Sequence, residues 1–235
     1  MNSPKKTARI AGFLYLIMVP FAVFGIMWGT TLIVPGDAAA TVKNIMASAT
    51  LYRLSILSAL AVQIGHLLLV LILYKLLKPV NKNMALLMVI FLLVSIPITM
   101  LNELNRFAVL LVSSGADYLT VFTAGQQQAL GLLFLNLQGR GIFITQIFWG
   151  LWLLPMGYLA FKSGFLPTFL GVLLLIAGIG YVIDSVGRLL SPNFGVTIMA
   201  TITAIMLWGE LAFPLWLLIK GVNVEQWEKR ALESA

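Results

Sequence analysis

The chain has 235 residues, of which 60% are hydrophobic and only 10% charged, and a mean hydropathy of +1.00, far from the balance of a soluble domain. It contains no cysteine, which excludes disulfides, thiolate nucleophiles and cysteine metal sites. Its net charge of +7 needs no nucleic-acid partner, because anionic lipid headgroups account for surface lysines beside a membrane.

Apolar runs at 10–33, 52–77, 84–112, 141–161, 168–190 and 197–220 each reach the roughly 20 residues that a spanning helix needs. Barrel strands would alternate over about ten residues, and these runs do not alternate. The expected fold is therefore all-α: a polytopic membrane protein whose six transmembrane helices form a single domain over residues 1–235.

The first run follows Lys5, Lys6 and Arg9, as a secretory signal would. About 24 nearly uninterrupted apolar residues separate Arg9 from Val34, however, whereas a signal core has about 7 to 15. An uncleaved helix is expected. Gly25 and Gly29, four residues apart, allow a neighbouring helix to approach closely. Pro35-Gly36-Asp37 then reads as a turn, with Asp37 placed to cap a short surface helix.

On the second run Ser55, Ala59, Gln63 and His66 fall within an arc of about 80° at 100° per residue, with Arg53 near one end. On the third, Ser95, Thr99, Asn102, Arg106 and Ser113 share a face, Glu103 lies beside them, and Pro97 introduces a bend. The link from Ser113 to Arg140 carries apolar residues around Gln126, Gln127 and Gln128, consistent with an interfacial segment or a helix extension. Gln146 lies in the fourth run. The fifth holds Asp184 and Arg188 one turn apart and a heptad line of Gly171, Gly178 and Ser185, while Glu210 lies near mid-depth in the sixth.

With the amino terminus cytoplasmic, six crossings return the carboxyl terminus to the same side. Lys5, Lys6, Arg9, Lys75, Lys78, Lys82, Lys162, Lys220, Lys229 and Arg230 are then inside, as the positive-inside rule favours. Arg53, Arg106, Arg140 and Arg188 gather in the outer segments or outer half of the membrane. Arginine's planar donor fork suits pairing with carboxylate or phosphate at low dielectric.

A charged side chain at the bilayer centre costs roughly 2.5 to 3.5 kcal/mol on insertion scales, so such groups face protein or water and mark functional sites. The candidate ligand-binding set is Arg53, His66, Asn102, Glu103, Arg106, Arg140, Gln146, Asp184, Arg188 and Glu210. Two arrangements remain open for it. Either these groups line an outward-facing polar cavity, or Glu103 with Arg106 and Asp184 with Arg188 close into neutral pairs. The first suits a non-catalytic protein that holds an anionic amphiphile or lipid headgroup. Glu103, Asp184, Glu210 and His66 as a proton relay would instead suit a small secondary transporter, and an intramembrane lipid-modifying enzyme is a third class.

No catalytic residue is assigned, since no glycine elbow surrounds Ser58 or Ser95. No ligand-pair spacing accompanies His66, so neither a metal nor a haem is expected, and anchoring explains the tryptophans without a cofactor. The expected partners are the bilayer and a lipid or anionic small molecule, with oligomeric state left open.

The strings TARIAGFLYL, VPGDAAATVKNI and YRLS, together with QIFWGLWLLPMGYLAFKSGFLPTFLG from Gln146 to Gly171, resemble a bacterial family of multi-pass membrane proteins catalogued only as a domain of unknown function. The resemblance covers nearly the whole chain and implies a protein of the bacterial cell membrane with about six helices. It transfers no activity. It draws attention to Asp37, Asn44, Arg53 and the KSGFLP turn.

Overall fold

The computed structural model describes residues 3–191, 194 and 210–234, and among these every regular element is helical. The helices are α1 (Pro4–Thr31), α2 (Ala38–Ala47), α3 (Ala49–Leu77), α4 (Lys82–Asn102), α5 (Leu104–Val112), α6 (Ala124–Lys162), α7 (Thr168–Leu190), α8 (Glu210–Ile219) and α9 (Val224–Glu233). Five stretches are long and apolar enough to cross a membrane: α1, α3, α4 with α5, α6 and α7. Their side chains are sorted for lipid. Phe13, Ile26, Leu57, Ile64, Leu101 and Ile179 are exposed, whereas Ser55, Gln63, Ser95, Asn102, Glu103, Arg106 and Asp184 are buried. In water such exposure would drive aggregation; in hydrocarbon it costs nothing, and the polar groups must turn inward. The protein is an all-α polytopic membrane protein.

Several boundaries differ from those expected. The third run is not one helix over 84–112 but α4 and α5, separated by a turn at Glu103. The Asn105 side-chain amide donates to the Asn102 carbonyl at 3.2 Å, and the Arg106 N–H bonds Glu103 O at 3.0 Å. The fourth run begins at Ala124 rather than 141, making a helix of 39 residues, about 58 Å long at 1.5 Å per residue. Its start is a reciprocal capping box: the Thr123 N–H donates to Gln126 Oε1 at 2.8 Å and the Gln126 N–H to Thr123 Oγ1 at 3.4 Å. Of the sixth run, residues 197–209 lie outside the described residues, and α8 is its described part.

The chain forms two compact units. The first comprises Met1–Ile17, Gly65–Ile96 and Phe143–Ala235, and the second Met18–Ile64 and Pro97–Ile142. In the second, Asp37 caps α2 by accepting the Ala40 N–H at 2.8 Å, as its place after Gly36 (φ +77°) predicts. Ile45, Tyr52, Ile56, Val109 and Leu110 make a core from α2, α3 and α5. The Ser58 hydroxyl donates to Phe21 O at 2.8 Å, joining α3 to α1.

In the first unit, α6 and α7 meet through glycines. A Cβ on Gly150 would lie 2.6 Å from Gly178 O, and one on Gly171 would lie 2.7 Å from Gly157 O. The glycine line read on α7 thus meets a second seven-residue glycine spacing on α6, and the two backbones touch. In the same unit α9 crosses helix ends: the Trp227 indole donates to Leu76 O at 2.8 Å and Arg230 to Lys162 O at 3.3 Å.

Replacing Gly178 by valine sets a side chain against Gly150 O at a separation no Cβ tolerates. We expect a loss of roughly 1–3 kcal/mol, read as a lower unfolding midpoint in detergent, with the exposed Ile179→Val as the neutral control.

Candidate functional sites

In the second unit the centre of polarity is Arg106 on α5, whose residue is 5% exposed. One terminal nitrogen, Nη1, donates to Glu103 Oε2 at 3.1 Å and to the carbonyl of Gly25 at 3.2 Å, and the other, Nη2, donates to the Ser55 hydroxyl. The Tyr52 ring lies 4.8 Å from the guanidinium carbon, adding a cation–π contact on its face. Gly29 makes the arrangement sterically feasible, since a Cβ there would come within 2.8 Å of Nη2. The four-residue spacing of Gly25 and Gly29 therefore serves both helix approach and the arginine: one supplies a carbonyl, the other an empty volume.

Asn102 belongs to the same unit. Its amide donates to Gln138 O at 2.8 Å, and its side chain occupies the space that a Cβ on Gly141 would need. The first contact lies on the part of α6 that precedes the expected fourth run and the second at that run's first residue. Arg53 and Arg140, also in this unit, are exposed.

The first unit holds two further groups. Asp184 on α7 accepts the Gln146 amide at 2.7 Å on one oxygen and Arg188 Nε at 2.6 Å on the other. Its carboxylate is thus held from two helices. Arg188 stands 5.5 Å from the centre of the Phe143 ring, and 37% of its side-chain surface remains exposed, against 5% for the side chain of Arg106. The second group surrounds Glu210. Tyr181 donates to Oε2 at 2.6 Å and Tyr15 to Oε1 at 3.4 Å, and no cation pairs with this carboxylate among the described residues. Trp152 lies 6.3 Å from Tyr15 and 6.5 Å from His66, ring centre to ring centre. His66 Nδ1 is buried and has no hydrogen-bond partner among the described residues.

The predicted residues thus gather as Asn102, Glu103 and Arg106 in one unit, and in the other as Gln146, Asp184 and Arg188 and, separately, as Glu210 and His66 linked through Tyr15 and Trp152. Tyr15, Tyr52, Tyr181 and Gln138 were not anticipated as participants. Tyr52 carried a signal, since it precedes Ser55 by one helical turn on the same face. Tyr15 and Tyr181 carried none, because a tyrosine in an apolar helix reads equally well as an anchor. Among the described residues no three His, Asp or Glu side chains are placed to hold a metal ion.

Chemically, the Arg106 group is a closed ion pair, and removing one partner leaves a buried uncompensated charge. Arg106→Ala is expected to lower stability by about 3–5 kcal/mol. The unfolding midpoint in detergent reads this, and Arg106→Lys recovers only part of it because lysine lacks the second, differently directed donor group.

Comparison with known proteins places the chain. No solved structure matches it. A relative in Archaeoglobus fulgidus, named only as an uncharacterised protein, is 32% identical over 156 residues, which cover 66% of this chain and 75% of the relative. The family model described as a domain of unknown function, DUF4386, matches residues 10–221, and the chain belongs to that family.

Proposed function

We propose that this integral membrane protein binds an anionic amphiphile or lipid headgroup through Arg188, without transforming it. The observation that supports this reading is the contrast between the two arginine pairs. Arg106 directs its donors at Glu103, Gly25 and Ser55 and is sealed, whereas Arg188 keeps 37% of its side-chain surface exposed while donating to Asp184, which Gln146 holds in turn. A partly exposed guanidinium steadied by a carboxylate is pre-organised for a phosphate or carboxylate ligand. Lysine-rich links favour a six-crossing topology in the bacterial cell membrane with both termini cytoplasmic, which turns Arg188 toward the outer leaflet.

The protein reconstituted in nanodiscs of mixed zwitterionic and anionic lipid supplies the test. Arg188→Ala is expected to reduce retained anionic lipid about tenfold, as loss of a charge-assisted contact implies, and to lower the unfolding midpoint, because the buried Asp184 loses its cation. Unchanged retention in a folded Arg188→Ala protein overturns the reading.

A second reading, proton-coupled transport, draws on a different observation: the Glu210 carboxylate meets two phenols and no cation among the described residues. An acid so placed in a membrane helix is a natural proton carrier. Proteoliposomes with an entrapped pH dye, challenged with a broad substrate panel, are expected to show substrate-dependent proton flux that Glu210→Gln reduces to the empty-vesicle level. Absence of such flux in the parent protein, or its survival in Glu210→Gln, overturns this second reading.

A further inference from the structure

A groove of about 410 Å³ in the first unit lies between the KSGFLP turn and the link that joins α8 to α9. The turn is set locally. Gly164 adopts φ +74°, the Ser163 hydroxyl donates to Ala160 O at 2.8 Å and accepts the Leu166 N–H at 3.0 Å, and Pro167 opens α7. The link is tied across to it by the Asn223 N–H, which donates to Phe165 O at 3.1 Å. Both walls of the groove are therefore fixed by backbone hydrogen bonds.

We propose that this groove is a binding site for an anionic glycerophospholipid. Its lining is mixed: Trp216 and Pro167 present apolar surface, Phe165, Leu166 and Val222 lie almost buried beneath, and Lys220 is the one charged residue in it. Trp216 is held edge-on against Phe169, ring centres 6.0 Å apart, an amphipathic wall suited to the headgroup region. Lys220 is exposed at the end of α8, and the Lys5 side chain lies over Gly221, where a Cβ would come within 2.9 Å of Lys5 Cγ. Arg9, which donates to Ile219 O at 3.5 Å, adds a third cation to the same helix ends. The acids of α9 are Glu225, Glu228 and Glu233, none of which lines the groove, and Glu233 is engaged with Arg230 at 3.4 Å. A cleft walled by Trp216, with cations gathered at the same helix ends and the exposed Phe169 beside it, complements a phosphodiester headgroup whose acyl chains run outside the cleft along the protein surface. A free anion would gain little from Trp216 and Phe169, and a zwitterionic lipid would gain less from the cations.

The site shares no residue with the Arg188 group, so the two stand or fall separately. Native mass spectrometry of the full chain in neutral detergent, with added dihexanoyl phosphatidylglycerol, dihexanoyl phosphatidylcholine or inorganic phosphate, tests it. The expected result is a phosphatidylglycerol adduct that Lys220→Glu weakens about tenfold and that Lys220→Arg and Lys78→Glu leave within about twofold. Equal weakening by Lys78→Glu would reduce the effect to general surface charge and overturn the proposal. So would equal binding of phosphatidylcholine, or displacement of phosphatidylglycerol by inorganic phosphate.

Discussion

A guanidinium in hydrocarbon has to find its partners within the protein, and around Arg106 that demand ties together stretches far apart in the chain. Glu103 supplies the charge, Gly25 a carbonyl, Ser55 a hydroxyl and Tyr52 the face of a ring. Each contact depends on a local feature that would otherwise look incidental. The turn at Glu103 separates α4 from α5, and the glycines on α1 leave a carbonyl reachable and a side-chain volume empty. A buried ion pair of this kind is weak evidence for net stability, since desolvation offsets its attraction, but its contacts tie α1, α3 and α5 together at one point.

The first unit is built on another principle. Its α6–α7 contact uses glycines on both helices, so that backbones approach until Gly150 and Gly178 leave no room for a Cβ. Lipid offers no hydrophobic drive between helices, and close van der Waals contact takes its place. The polar groups of this unit are less sealed than Arg106. Arg188 remains partly exposed beside its carboxylate, Glu210 is held by neutral hydroxyls, and the groove beside the KSGFLP turn is open at its rim. Sealed charge serves architecture, while accessible charge is available to a ligand. On the readings proposed above, that distinction turns attention from Arg106, where an apolar helix carries its most conspicuous polar run, to Arg188 and Lys220.

Much of the fold was legible along the chain. The fifth run coincides with α7, Asp37 caps α2, and the polar faces of the second and third runs are buried, because a 3.6-residue period in an apolar background leaves little freedom. Boundaries were less legible where side chains intervene in the backbone ladder. The Thr123–Gln126 box starts α6 well before the apolar run does, and Asn105 interrupts the third helix by capturing a carbonyl. Hydropathy is insensitive to both.

Hydrophobicity and period by themselves determined the all-helical membrane class, the approximate spans, and the need for Glu103, Arg106, Asp184 and Arg188 to turn away from lipid. The partners were left to the tertiary structure: that Arg106 closes on Gly25 and Ser55, that Gln146 braces Asp184, and that two tyrosines hold Glu210. A helix reveals its own faces through a local period, but which faces meet, and whether the polar groups between them are sealed or left accessible, depends on packing between residues that sequence spacing does not relate.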